Sequence, residues 1–290
     1  MIINNSTRLC GWLANVHSIK MSDWTVTLTF AESVENHIGN EQIGSKFPRG
    51  PSTVDLQHTL HNMQRMYGNR ININGHILEL SKMHGVPSLD ASVLIIKGLN
   101  AHSNDDAMAL KNACWDSKYF DTRRSVVLNK NARHNLCFTD QNQEPNYEIG
   151  QGRTYAFNNC APFMPKLREF FSNTLIVGGH PYLQLNGGKP LYAEGNYYYD
   201  HRTTYIGWHG DVERSIVVGY RIGVSFPLHF MLFSECKPHH ETLTTIDLED
   251  GDAYIMSHDA TGQDWKKHAP AYRHSAGHVG VLNKTQNHKI

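Results

Sequence analysis

Apolar and polar residues alternate over 24–30 (Trp-Thr-Val-Thr-Leu-Thr-Phe), the period of a β-strand. A Gly/Pro-rich loop from Gly44 to Pro51 follows, and then the spacing predicts a helix over 53–67 that stops at a glycine. Residues 71–80 and 92–98 read as strands, and 104–115 as a short helix. The most loop-like stretch there is the polar segment 99–106, which places a soft boundary near residue 112. Beyond it the texture turns to β. Residues 124–130 and 153–157 are strand-like and 164–175 have helical spacing. From Tyr197 onward, turn residues break the chain into successive β segments, the last over 277–285. The predicted class is mainly β with flanking helices (α+β): a double-stranded β-helix, or jelly-roll, domain over 113–290 preceded by an α/β extension over 1–112.

Composition narrows the function classes. Hydrophobic residues make up 40% and aromatics 10%, the values of a folded rather than a disordered chain. The formal net charge is zero, so no global positive field recruits nucleic acid, and any polyanion contact has to come from local patches. The amino-terminal segment lacks a basic region followed by an apolar one, and no run approaches 18 apolar residues. A non-secreted, non-membrane protein of the cytoplasm or nucleus is expected. Five cysteines (Cys10, Cys114, Cys137, Cys160, Cys236) are scattered without a Cys-x-x-Cys pair, which argues for reduced thiols over a disulfide framework or a zinc ribbon.

His209 and Asp211 stand two residues apart, ahead of an apolar β-branched run. With 19 His and 15 Asp in 290 residues, about one His-x-Asp is expected by chance, so the motif alone proves nothing. Residues i and i+2 of a strand share a face, however, and from there an imidazole and a carboxylate can converge on one ion. With one further histidine they make the 2-His-1-carboxylate set that holds non-haem Fe(II) and leaves coordination positions open. His258, His268 and His274 compete for the third place. A capped turn with Asp259 explains His258, and a solvated basic face explains His268. His274 precedes the last strand-like segment and has Lys284 ten residues further on, a cation placed to hold the far carboxylate of a 2-oxo acid. His274 is therefore the preferred distal ligand and His268 the runner-up.

The order His209, Asp211, His274, Lys284, with Gly251-Asp252 opening a strand between them, resembles the Fe(II)/2-oxoglutarate-dependent dioxygenase superfamily. The segment from His274 to Lys284 looks like the distal histidine and lysine of prolyl hydroxylases. The wider core, with Asn196 and Tyr198 as Asn-x-Tyr and an apolar Ile255-Met256-Ser257, is more similar to AlkB-like dioxygenases. The ending from Arg273 to Gly277, together with segments 29–37 and 129–138, looks like a phage, giant-virus and algal AlkB-like group. The resemblance implies Fe(II), 2-oxoglutarate and O2 as cofactors, with ascorbate as a reductant, and His209, Asp211 and His274 as iron ligands. It further implies Lys284 as the 2-oxoglutarate anchor and Asn196 and Tyr198 as its neighbours. AlkB enzymes end on an arginine pair where this chain has His278 to Lys284, so Arg221 and Arg273 are candidates for a second cation.

Asn129, Lys130, Arg133 and His134 gather amide and cationic groups between apolar segments, the chemistry that reads a nucleobase edge. Tyr197 and Tyr199 suit core or cross-strand packing better. The leading functional expectation is hydroxylation or oxidative demethylation of a nucleobase or nucleic acid. A prolyl-type protein hydroxylase and a non-catalytic jelly-roll module are the alternatives.

Overall fold

The computed structural model describes residues 23–263, 268–278 and 280. Strands β1 (Thr25–Ala31), β2 (Ser33–Glu35) and β3 (Gln42–Gly44) lead to helix α1 (Thr53–Tyr67). Strand β4 (Asn74–Glu79), the one-turn helix α2 (Leu80–Met83), strand β5 (Ser92–Lys97) and helix α3 (Asn104–Lys111) follow. Strands β6 (Lys118–Asp121), β7 (Val126–Asn129), β8 (His134–Thr139) and β9 (Thr154–Ala156) precede helix α4 (Met164–Thr174). Next come β10 (Ile176–Val177), β11 (His180–Pro181), the short helix α5 (Tyr182–Leu185) and β12 (Tyr192–Tyr198). The chain continues with β13 (Ile206–His209), β14 (Val217–Gly223), β15 (Phe226–Ser234) and β16 (Lys237–Pro238). The last described strands are β17 (Thr244–Leu248), β18 (Ala253–Met256) and β19 (Ala271–Ala276). The molecule is mainly β with few helices, as the alternation predicts.

Two sheets carry the architecture. The larger runs β4-β5-β18-β14-β1-β12-β8-β9, and the smaller β13-β19-β15-β16 with β17 also on β15. Helix α1 starts at Ser52, whose hydroxyl accepts from the Asp55 amide while Asp55 accepts from the Ser52 amide. The Asp55 carboxylate also accepts from the amides of Gly178 and Gly179, which ties the helix start to the turn between β10 and β11.

The faces of the large sheet explain where the site sits. Val26, Leu28 and Phe30 of β1 are fully buried, with Val218, Tyr220 and Ile222 of β14 and with Leu56, Met63 and Phe171 of α1 and α4. Each such apolar side chain contributes roughly 1.5–3 kcal/mol through burial. The opposite face is polar although it too is covered: Thr25, Thr27, Glu194, Asn196 and Arg221 are all buried there. At one end of that face, Tyr198, Val217, Tyr254 and Met256 meet Phe226, Leu228, Phe230 and Tyr272 of the small sheet, so the two sheets pack against each other. Polar groups are buried at a cost unless they are bonded, and this polar stretch between apolar flanks lines a cavity.

Two expectations are corrected. Residue 112 does not divide two units, because β1 lies between β14 and β12 and β4 and β5 extend the same sheet beyond β18. The polar stretch 99–106 is instead the capped start of α3, where Ser103 and Asp106 form a capping box. The last described strand, β19, comes before the 277–285 segment and contains His274 itself; most of that segment lies outside the described residues. Among the described residues no helix is long and apolar enough to cross a membrane.

Candidate metal centre

His209 ends β13 and stands opposite His274 of β19, which in turn pairs with Phe230 of β15. The β13–β19 ladder is irregular: Ile206 pairs with Ala276 and His209 with His274, with two residues between these pairs on β13 against one on β19. This bulge brings both Ile206 and His209 to the inner face, where strict alternation would separate them. On β19 alternation is kept. Tyr272, His274 and Ala276 are buried on the inner side, whereas the Arg273 guanidinium lies 4.0 Å from the centre of the Phe233 ring on the other face.

Asp211 reaches the site by a different route from the shared strand face that the sequence predicts. Strand β13 stops at His209, and Asp211 belongs to the following loop. Its amide donates to the Thr261 carbonyl at 2.9 Å, and its own carbonyl accepts from Gln263 Nε2 at 2.6 Å. Behind it, the buried Glu32 carboxylate accepts from the amides of Ser215 and Ile216. The loop carrying the carboxylate is thereby fixed at both ends.

Three potential ligand atoms converge, all within 4.8 Å of one another. His209 Nε2 is 3.8 Å from Asp211 Oδ1, His274 Nε2 is 3.7 Å from Asp211 Oδ2, and the two imidazole centroids are 4.3 Å apart. These separations are too long for hydrogen bonds but lie within about two metal–ligand bonds of roughly 2 Å each. His209 Nδ1 is 2.8 Å from the Gly207 carbonyl, which can only accept. The ring proton therefore sits on Nδ1, and the Nε2 lone pair faces inward.

The electrostatics of the triad call for a cation. Burial pushes the Asp211 carboxyl up to about 8, with the neighbouring Glu213 adding to the rise. Burial also holds His209 down to about 4, and holds His274 well below the usual imidazole range with His209 as the next cause. Two neutral imidazoles and a carboxylate that burial makes costly to ionise suit a divalent ion, which accepts both lone pairs and neutralises the acid. The nearby Arg214 is already engaged: its buried guanidinium is ion-paired with Glu194 and, at 2.8 Å, with Glu213.

The triad opens into a cavity of about 830 Å³. Arg221 of β14 lines it, is fully buried, and lies 5.3 Å from the centre of the Phe226 ring. Its Nη1 donates to the Thr27 hydroxyl, but Nε has no hydrogen-bond partner. Among the described residues no carboxylate lies within ion-pair distance of it. Tyr198 and Asn196 line the same cavity, as do Asn129, Lys130 and Arg133. His134 does not line it; its ring packs on Tyr199 at 4.9 Å. Arg273 faces away, and His268 stands before β19, where its carbonyl accepts from the Glu235 amide. His268 thus lies apart from the ligand cluster, and Lys284 is outside the described residues.

No established family model matches the chain. It is 38% identical over 261 residues to an uncharacterized protein of Acanthamoeba polyphaga mimivirus, a match that covers 87% of this chain and 95% of that protein. The chain belongs to the family of that viral protein.

Several cavity residues escape a reading of the sequence. Glu35, His37 and Tyr119 line the mouth, where the His37 and Tyr119 rings pack at a tilt of 39° with centroids 3.8 Å apart. They lie on the β2–β3 hairpin and on β6, elements too short to give a periodic signal. The threonines of β1 did carry one. A buried strand with Thr25, Thr27 and Thr29 on alternate positions has a polar inner face, and Thr27 meets Arg221 there.

Proposed function

We propose that this chain is an Fe(II)- and 2-oxoglutarate-dependent dioxygenase of AlkB-like type, built on a double-stranded β-helix and oxidising a nucleobase-containing substrate. One observation carries this reading: a largely buried His-Asp-His triad shares a cavity with a buried guanidinium that no carboxylate among the described residues neutralises. The two packed sheets, with the triad at the end of β13 and inside β19, support the jelly-roll assignment.

The residues fit the implied groups. His209, Asp211 and His274 would hold the ion with positions left open, and Gly207 orients His209 for it. Bound there, the ion supplies oxygen activation coupled to oxidative decarboxylation of 2-oxoglutarate. In that chemistry one oxygen atom of O2 would enter succinate, with release of CO2, and the other would be inserted into a substrate C–H bond. Arg221 would pair the far carboxylate of the oxo acid, since burying either charge alone costs several kcal/mol. It is held for this by Thr27 and by the Phe226 ring. Asn196 and Tyr198, on the same wall, bound the space between anchor and triad.

The test is product analysis. Fe(II)-loaded protein is incubated with 2-oxoglutarate, oxygen and either N-methylated oligonucleotides or proline-containing peptides. An oligonucleotide product that has lost a methyl group as formaldehyde, or gained one oxygen atom, is expected. Oxygen transfer to peptide alone contradicts the substrate assignment and favours a protein hydroxylase. Absence of 2-oxoglutarate turnover under all conditions removes the enzyme reading.

A further inference from the structure

Lys130 and Arg133 sit in the turn between β7 and β8 and line the outer part of the cavity. This turn is held in place. The Lys130 amide donates to the Ser117 carbonyl at 2.7 Å, the Tyr199 hydroxyl to the Asn131 carbonyl at 2.7 Å, and the Tyr205 amide to the Ala132 carbonyl at 3.1 Å. The two cationic heads are therefore presented by a rigid segment rather than by a mobile loop.

Among the described residues neither head makes an ion pair, and the carboxylate that acts most on Lys130, Asp116, is held by the Tyr147 hydroxyl and the Arg153 amide. Lys130 Nζ donates to the Asn135 side-chain oxygen and the Asn36 carbonyl. Arg133 Nε donates to Asn196 Oδ1 at 2.5 Å, and among the described residues neither Nη group makes a hydrogen bond. Among the described residues no carboxylate lies within ion-pair distance of either. The acids nearest in the cavity are committed elsewhere: Glu194 and Glu213 to Arg214, and Asp211 to the triad. Two like charges near each other and partly buried repel; burial lowers the Lys130 pKa to about 8, with Asp116 opposing the fall and Arg133 adding to it. An arrangement of this kind is relieved by an anion with several acceptor oxygens.

The surroundings choose the anion. Arg221, deeper in the cavity, already serves a carboxylate in the reading above, on which this inference rests. Beside Lys130 the packed, mutually tilted His37 and Tyr119 rings and the exposed Ile38 offer aromatic and apolar surface. Burial, followed by Lys130 and Arg133, holds the His37 imidazole down to about 4, so it meets a ligand as a neutral ring. A phosphate on the two cations with a planar base against the rings is one nucleotide unit.

We infer that Lys130 and Arg133 form an anion subsite, separate from the 2-oxoglutarate position, that binds the phosphate of a nucleotide unit of the substrate.

Binding to Mn(II)-loaded protein with 2-oxoglutarate under anaerobic conditions tests this. The probes are adenosine, adenosine 5′-monophosphate and a short single-stranded oligonucleotide, compared in the wild type and in Lys130→Met/Arg133→Met. Two charge-assisted hydrogen bonds correspond to a gain of about tenfold or more. The monophosphate or the oligonucleotide should therefore bind at least about tenfold tighter than adenosine in the wild type and within about twofold of it in the double variant. A gain with the oligonucleotide alone assigns the subsite to a phosphodiester within a strand; a gain with both admits a free nucleotide. Lys130→Arg should keep the preference, and Mn(II) and 2-oxoglutarate affinities should not change. Equal binding of all three probes by the wild type, or an undiminished preference in the double variant, overturns the subsite. Loss of Mn(II) or 2-oxoglutarate binding by the wild type itself would overturn the dioxygenase reading instead, and the phosphate preference, read without them, would still stand or fall separately.

Discussion

His209 and His274 lie on strands far apart in the chain yet face each other in register, with ring centroids 4.3 Å apart and both Nε2 atoms within 4 Å of the Asp211 carboxylate. An ion held by such a cluster in the folded state alone would stabilise the fold. At about one hundred times its Kd an ion adds roughly 2.7 kcal/mol, a rise of a few degrees in Tm. Thermal melts with Mn(II) should show this rise in the wild type and none in His209→Ala or His274→Ala. His268→Ala should keep it. A shift that survives in His274→Ala and disappears in His268→Ala would reverse the choice of distal ligand.

Asp211 makes the opposite contribution when the ion is withheld. Its buried carboxyl is pushed up to about 8 because ionising it without a cation is unfavourable. Asp211→Asn keeps the shape and removes the charge, so the metal-free variant should melt above the metal-free wild type while binding no Mn(II). A lower Tm for metal-free Asp211→Asn would show that the carboxylate is already stabilised, with Arg214 the nearest source.

Much of this centre was legible in the sequence, and the reasons are local. His209 and Asp211 are identifiable because ligand residue types stand two apart ahead of a β-branched run, His274 from its spacing to Lys284, and β1, α1 and α4 because their periods are uninterrupted. The geometry was less accessible. That His209 needs a bulge and Asp211 a loop follows from pairing with β19, which no local pattern encodes. The central position of β1 is equally non-local: its partners in β12 and β14 lie more than a hundred residues away in sequence, so a polar loop at 99–106 looked like a boundary. Arg221 could be named as a candidate, but its lack of a carboxylate partner among the described residues appears only when the sheet is assembled.

Truncation tests that topology. Removing residues 1–112 deletes β1 from the middle of the large sheet together with α1, which covers its apolar face. The fragment 113–290 should therefore fail to give a cooperative melt or a dispersed amide NMR spectrum. A folded, metal-binding fragment would restore an independent amino-terminal unit.

Arg221 should govern affinity for the oxo acid without touching the ion. Arg221→Met is expected to raise the 2-oxoglutarate KM by one to two orders of magnitude, from the loss of charged hydrogen bonds worth roughly 1.5–3 kcal/mol. Mn(II) affinity should be retained, and Arg221→Lys should recover part of the loss. An unchanged KM in Arg221→Met, with a raised one in Lys284→Ala, would place the anchor on the lysine.

Glu35 gives the pH dependence a checkable sign. Burial raises its pKa from 4.5 to about 7, with Glu213 and Glu194 adding to the rise. The folded state thus favours the protonated acid: its contribution is fully present below about 4.5 and is lost as pH rises through about 7. Glu35→Gln should melt higher than the wild type at pH 8, and this gain should shrink as the pH is lowered to 5. A gain that grows toward pH 5 would contradict the raised pKa.

Succinate formation from 2-oxoglutarate, followed as Fe(II) is added under air to wild type and Asp211→Ala in parallel, addresses the central assignment most directly. The wild type should produce succinate in proportion to bound iron and Asp211→Ala almost none, because the remaining two imidazoles do not retain the ion without its charge partner. Equal succinate from both proteins, or none from an iron-loaded wild type supplied with oxygen, 2-oxoglutarate and ascorbate, would contradict it.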